Sequence, residues 1–153
     1  MVNVKDISFS YGKLGGSMLD KVGFELEDGR CMAILGNNGA GKSTLLKCID
    51  RILKPREGEV LVDGKNVFAM SGSEMARNIA YVPQSAGSMN MSVFDAVLLG
   101  RKPYIKWDVT EKDRQIVRDI LNKMHLEGFA LRNMAELSGG EAQKVMLAWQ
   151  FWV

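Results

Sequence analysis

Apolar and polar residues alternate at the start of the chain. Residues 1–11 (MVNVKDISFSY) read as a strand, Gly12 with the Gly15-Gly16 pair marks a turn, and residues 19–26 read as a second strand. A third apolar run at residues 31–35 predicts a buried strand that feeds into the glycine-rich stretch 36–41. Residues 42–53 then carry apolar side chains at helical spacing, Leu45, Leu46, Ile49, Ile52 and Leu53. Pro55 and Gly58 end that helix, and GEVLVDGKNV predicts a hairpin turning at Asp63-Gly64. A short helix over 74–79 and a strand beginning at Ala80 and closed by Pro83 follow. From Met91 the spacing is helical, over 92–99 and again over 110–126. In the second of these, Thr110 and Asp113 form a capping-box pattern, and Ile116, Val117, Ile120, Leu121 and Met124 line one face. No internal repeat or low-complexity segment interrupts the order.

Bulk properties narrow the field less than the pattern does. A length of 153 residues with 46% hydrophobic content supports about one domain with a buried core. Twenty basic against eighteen acidic residues leave a net charge of +2, too small to point to nucleic acid or an anionic membrane as the main partner. Cys31 and Cys48 lie in apolar runs without CxxC spacing or paired histidines, so buried reduced thiols are expected rather than a disulfide or zinc site, which suits a reducing compartment. The first residues lack the basic-then-apolar pattern of a signal peptide. No uninterrupted apolar run approaches the roughly 20 residues that cross a bilayer. Any spanning segment would have to belong to another subunit.

The chemistry is concentrated in Gly36-Asn37-Asn38-Gly39-Ala40-Gly41-Lys42-Ser43, which matches G-x-x-x-x-G-K-[ST] between a predicted strand and a predicted helix. The glycines let the backbone approach a phosphate closely, so that successive N–H groups point into one concavity. The dipole of the following helix adds positive potential there. In such a loop Lys42 reaches the β- and γ-phosphates, Ser43 holds Mg²⁺ through its hydroxyl, and Thr44 is placed for the α-phosphate. A glycine-rich turn with a surface lysine would explain the composition but not the spacing. GTP specificity would need N-K-x-D, and the one candidate, Asn122-Lys123-Met124-His125, ends in histidine where a carboxylate must pair with guanine.

Tyr11-Gly12, the phosphate loop, Tyr81-Val82-Pro83-Gln84 and Leu137-Ser138-Gly139-Gly140-Glu141, in this order, resemble the nucleotide-binding subunit of ABC transporters. The resemblance implies an α/β fold: an incomplete phosphate-loop NTPase core, an N-terminal antiparallel β region and a helical subdomain. The division it implies is residues 1–90 for the β region and core, 91–134 for the helical subdomain, and 135–153 for the signature loop and the start of the helix behind it. It also implies roles. Tyr11 would stack on adenine, although a tyrosine in that setting is more often packing. Gln84 would touch Mg²⁺ and the attacking water, and with Lys42 make up the catalytic set. Leu137, Ser138, Gly139, Gly140 and Glu141 would cap the nucleotide held by the opposite subunit of a head-to-tail dimer. A Gly-Gly loop capped by Ser138 before a helix is the bland reading of the same residues. The implied cofactors are ATP and Mg²⁺. The implied partners are membrane permease subunits, a second ATP-binding subunit in a homodimer and, indirectly, a substrate-binding protein. No nucleic acid is implied, and the implied location is the cytoplasmic face of the plasma membrane, peripherally bound.

About fifty residues of helical pattern separate Gln84 from Leu137, too few for the coiled-coil insert of chromosome-maintenance relatives. The stretch VFDAVLLGRKPYIKW resembles the importer group that handles iron-siderophore, haem or cobalamin complexes. Its Arg101, Lys102 and Tyr104 read equally as a solvated turn. His125 reads as a helix-terminal or surface residue, and the ten methionines as adaptable core filler.

After Ala148 the resemblance ends. The family continues its signature helix and then an apolar strand ending in Asp-Glu, whereas Trp149-Gln150-Phe151-Trp152-Val153 stands here. Two tryptophans and a phenylalanine in five residues do not suit the amphipathic, partly exposed helix that Glu141 to Leu147 begin. A frameshift near residue 149 is the expectation, with a cut fragment or gene remnant as alternatives. The family's glutamate base, Mg²⁺-bound aspartate and switch histidine then have no counterpart, and weak nucleotide binding without useful hydrolysis is expected. So are open edges on the 31–35 strand and poor solubility. Two other readings remain open, a nucleotide-binding module without catalysis and a non-transport ABC protein with tandem domains.

Overall fold

A computed structural model describes residues 1–12, 16–84 and 89–150. The chain forms two compact units, Met1–Met75 and Ala76–Val153.

The first unit is built on a four-stranded sheet. β1 (Val2–Phe9) lies between β2 (Leu19–Leu26) and β3 (Glu57–Val62), and β4 (Lys65–Asn66) pairs with the outer side of β3, every pairing being antiparallel. The hairpin expected at Asp63-Gly64 is present, with φ of 49° and 76° at the two turn residues, the positive values a tight two-residue turn requires. Val4, Ile7 and Phe9 of β1, with a register shift between the first two, and Val60 and Val62 of β3 enter the core, where Leu45 and Cys48 of α1 (Lys42–Ile49) and Leu19, Val67, Met70 and Met75 are also buried. The α/β class with its antiparallel β region is therefore as expected.

Three local expectations are corrected. Residues 31–35 enter no strand among the described residues. Their apolar run reads as a strand covered on both faces, but the sheet closes without them, Leu35 is 89% exposed, and a strand exists only with a hydrogen-bonded neighbour. Cys31, in the same run, is exposed for that reason, while Cys48 is buried. The stretch from Ala80 to Gln84 is likewise not a strand. Gly15 of the predicted turn lies outside the described residues.

α2 (Gly72–Asn78) carries the chain from one unit to the other. The second unit packs α3 (Val93–Gly100), α4 (Glu111–Lys123) and α5 (Gly139–Trp149) around Val93, Ala96, Val97, Val117, Ile120, Leu121, Val145 and Ala148, with Leu126 and Met134 from the connections. Local chemistry starts each helix: the hydroxyls of Ser92, Thr110 and Ser138 accept from the third residue beyond, and the last two complete capping boxes with Asp113 and Glu141. Arg101 pairs with the buried carboxylate of Asp113 at 2.6 Å. Thr110 and Arg101 together hold that carboxyl down at about 2. The Tyr104 ring has the Arg77 and Arg101 guanidiniums at 5.3 and 5.5 Å from its centroid, and Arg77 donates to the Pro103 carbonyl at 2.6 and 3.0 Å. The Gly-Arg-Lys-Pro-Tyr turn is thus a packed fastening in which only Lys102 faces solvent.

α5 runs on through Trp149, against the expectation that its aromatic end would not suit the helix. Trp149 lies directly over Gly100 of α3, where a side chain would collide with it, and the Gln150 amide donates to the Tyr81 carbonyl at 2.8 Å. Residues 151–153 lie outside the described residues.

His125 is in the helix-terminal place expected. It takes a φ of 55°, its N–H donates to the Asn122 carbonyl, and the Leu126 N–H donates to the Leu121 carbonyl, which is the double closure that usually carries glycine. His125→Gly is expected to stabilise the protein by about 0.5–1 kcal/mol by removing the left-handed penalty of a Cβ, measured as a higher urea midpoint.

Candidate functional site

α1 begins at Lys42, and the residues before it form an exposed loop from Gly36 to Ala40. The Ala40 N–H donates to the Asn37 carbonyl at 3.2 Å, folding the loop back on itself ahead of the helix. Gly41 is buried at the junction, with a φ of 88°. A Cβ there would stand 3.0 Å from both the Met18 carbonyl and the Leu19 side chain at the start of β2. The residue that closes the loop is therefore glycine for two reasons, its left-handed backbone and the strand pressed against it.

Lys42 turns its ammonium back over the loop, donating to the carbonyls of Gly36 at 2.7 Å and Asn37 at 2.8 Å. The cation is thereby held at the mouth of the loop, at the positive end of α1, where an anion gains from both the charge and the open N–H groups. Ser43 is exposed in the first turn of the helix, and Thr44 is buried beside it. The Thr44 hydroxyl is 3.0 Å from the hydroxyl of Tyr11, so that the tyrosine at the end of β1 touches the first turn of α1. The Tyr11 ring meets Phe9 edge to face at 4.9 Å, and the residue is 54% exposed.

At the far end of α1, burial pushes the Asp50 carboxyl up to about 6, with the Arg51 cation drawing it partly back. A carboxyl raised in the folded state contributes stability below its unfolded value near 4, and this is lost as pH rises through 6. Asp50→Asn is therefore expected to stabilise the protein at pH 7.5 by about 1 to 2 kcal/mol and to have little effect at pH 4. Thermal melts of both proteins across that range check it.

The second unit holds the remaining candidates. Gln84 is exposed. Leu137 is half-buried against the helical core, which anchors the signature from behind. The Ser138 N–H and hydroxyl donate to the Glu141 carboxylate at 2.8 and 2.6 Å, and these bonds hold that carboxyl below its usual range. Gly139 and Gly140 form the exposed first turn of α5, with no neighbouring atom within 4 Å of where a side chain would begin. The bland reading of Ser138 as a helix cap is correct as structure. The cap takes up the Glu141 N–H and leaves Gly139 and Gly140 as the exposed first turn of α5. Among the described residues no group of three or more His, Cys, Asp or Glu side chains gathers to hold a metal, and no helix is long and apolar enough to cross a membrane.

The pattern that defines the ABC transporter family matches residues 19–153. The chain belongs to that family. Two relatives and one solved structure indicate the degree of likeness. An uncharacterized ABC transporter ATP-binding protein of Methanocaldococcus jannaschii is 47% identical over 97% of this chain and 58% of its own length. The cobalamin import ATP-binding protein BtuD of Halobacterium salinarum is 39% identical over 88% of this chain and 34% of its own. A bacterial ABC transporter cassette solved as a dimer superposes with a TM-score of 0.85 at 27% identity, over 99% of this chain and 69% of that one. The chain spans about half the length of the curated relatives it matches.

Within the ABC fold, Tyr11 and the phosphate loop come together in the first unit, and the signature residues come together in the second. Two contacts had no signal in the sequence. Nothing in the spacing pairs Tyr11 with Thr44, thirty-three residues on, and nothing marks Arg56, whose guanidinium donates to the Gly12 carbonyl. Both depend on how β1, α1 and the turn before β3 pack.

Proposed function

We propose that the chain is part of the ATP-binding subunit of an ABC importer that takes up a metal chelate, of the iron-siderophore, haem or cobalamin class. The observation that carries the reading is the presence of two exposed helix N-termini with separate equipment, the first without a side-chain cap. One has Lys42 and a glycine loop before it, and the other has a serine cap and two exposed glycines. The first suits the triphosphate of a nucleotide bound by this chain. The second has no lysine and suits the outer oxygens of a nucleotide presented by another copy.

In this reading the loop N–H groups and Lys42 hold the β- and γ-phosphates, and Lys42 exchanges its two carbonyl acceptors for phosphate oxygens when the nucleotide arrives. Thr44 takes the α-phosphate, and Tyr11 offers a flat surface to adenine. The hydroxyl of Ser43 and the carboxamide of Gln84 are hard oxygen donors of the kind that suit Mg²⁺, and the exposed position of each leaves it accessible. The metal supplies neutralisation of the phosphate charge. Gln84 orients water toward the γ-phosphate. Residues 1–90 serve as the nucleotide-binding part, 91–134 as the helical subdomain that meets the permease subunits, and 135–153 carry the signature to the second subunit. The assembly sits peripherally on the cytoplasmic face of the plasma membrane, and a substrate-binding protein delivers cargo to the permease.

The likeness to a cobalamin import protein supports the importer reading, as does the Arg101 to Tyr104 turn of the importer group. Disruption of the gene in its host, followed by uptake of labelled cobalamin, haem and a ferric siderophore, tests it. Loss of one of the three, restored by the wild-type gene and not by a Lys42→Ala copy, is the expected result. Unchanged uptake of all three would remove the importer reading.

A further inference from the structure

Arg56 belongs to no motif, yet it holds the turn that presents Tyr11. Its backbone N–H donates to the Ser8 carbonyl at 2.8 Å, which places it alongside the end of β1, and its guanidinium Nη2 donates to the carbonyl of Gly12. Tyr11 is restrained directly by the Phe9 ring at 4.9 Å and 85° and by the Thr44 hydroxyl at 3.0 Å, while Arg56 fixes the carbonyl of the next residue, Gly12. A tyrosine that is more than half exposed ordinarily samples several rotamers, and ordering it on ligand binding costs free energy. Here that ordering is in place before any ligand arrives. A pre-ordered, open aromatic ring tied to the first turn of a phosphate-loop helix suits a ligand with a flat heterocycle at one end and phosphates at the other.

We propose that Arg56 is a positioning residue for a base subsite at Tyr11, acting through the Gly12 carbonyl, with the Thr44 hydroxyl as its second anchor. Together they set the preference of the site for a nucleoside triphosphate over triphosphate alone. The inference rests on the phosphate-loop reading above and adds to it a residue that touches neither phosphate nor base.

The test uses the full chain and two probes, Mg-ATP and Mg-tripolyphosphate, titrated by calorimetry. Wild type is expected to bind ATP more tightly than tripolyphosphate. Arg56→Ala, and Tyr11→Phe, which keeps the ring but removes the link to Thr44, are each expected to weaken ATP about threefold to tenfold while leaving tripolyphosphate within about twofold. Arg56→Lys, which keeps a donor, is expected to recover part of the ATP affinity. Equal losses on both probes would overturn the inference by making Arg56 a general support of the fold, and so would unchanged ATP affinity in both variants. Equal affinity of wild type for the two probes would overturn the base subsite and leave the phosphate site standing. Lys42→Ala separates the two readings, because indifference of both probes to that change removes the phosphate loop itself as the site.

Discussion

Lys42→Ala is expected to weaken Mg-ATP binding by about a hundredfold or more while leaving the melting temperature nearly unchanged. The ammonium is already at the loop, bonded to the Gly36 and Asn37 carbonyls at 2.7 and 2.8 Å, so no rearrangement of the main chain is needed for it to meet a phosphate. Hydrogen bonds to charged groups contribute about 1.5 to 3 kcal/mol each, and loss of two such bonds corresponds to the stated factor. The two carbonyls it releases lie on an exposed loop and can be hydrated, which is why stability should hardly respond. Titration calorimetry and a thermal melt on the same sample read both halves of the prediction.

Gly58→Ala is expected to cost about 3 kcal/mol or more and to lower the melting temperature by roughly 6 to 12 °C. In β1 the pairing slips where Asp6, with a φ of 48°, and Ile7 stand opposite the single residue Gly58 of β3. Gly58 itself has a φ of 88°. A Cβ there would stand 2.3 Å from the Lys5 carbonyl and 2.5 Å from that of Asp6. These neighbours are backbone of the central strand, so they cannot swing aside as a side-chain tip would. Relief would require moving β1, and with it Phe9 and Tyr11 at its end. The variant should therefore lose nucleotide affinity in step with stability, unlike Lys42→Ala. Urea unfolding with a parallel ATP titration distinguishes them.

What could be read from the sequence was what is decided locally. The Asp63-Gly64 hairpin, the capping of α4 by Thr110 and of α5 by Ser138, and the buried face Val117, Ile120 and Leu121 all follow from side chains within a few residues of one another. The glycine-rich loop leading into α1 at Lys42 was legible because its glycines, lysine and serine form one short segment. Residues 31–35 failed the same kind of reading, because an apolar run specifies burial but cannot supply the neighbour that makes it a strand. Cys31 was misplaced with it. Trp149 was misjudged by composition, since nothing local shows that Gly100 of α3 leaves room for an indole. The ties of Tyr11 to Thr44 and of Arg56 to Gly12 join parts of the chain more than thirty residues apart, and no periodicity carries that information.

The central claim is that nucleotide is held by the phosphate loop with Tyr11 beside it, and that the signature faces a different nucleotide. Amide hydrogen exchange of the chain with and without Mg-ATP, at a concentration where it is monomeric, tests this most directly. Protection on adding ATP is expected at residues 36–44 and 9–12, with residues 138–141 unchanged. Unaltered exchange across 36–44, or protection confined to 138–141, would contradict it.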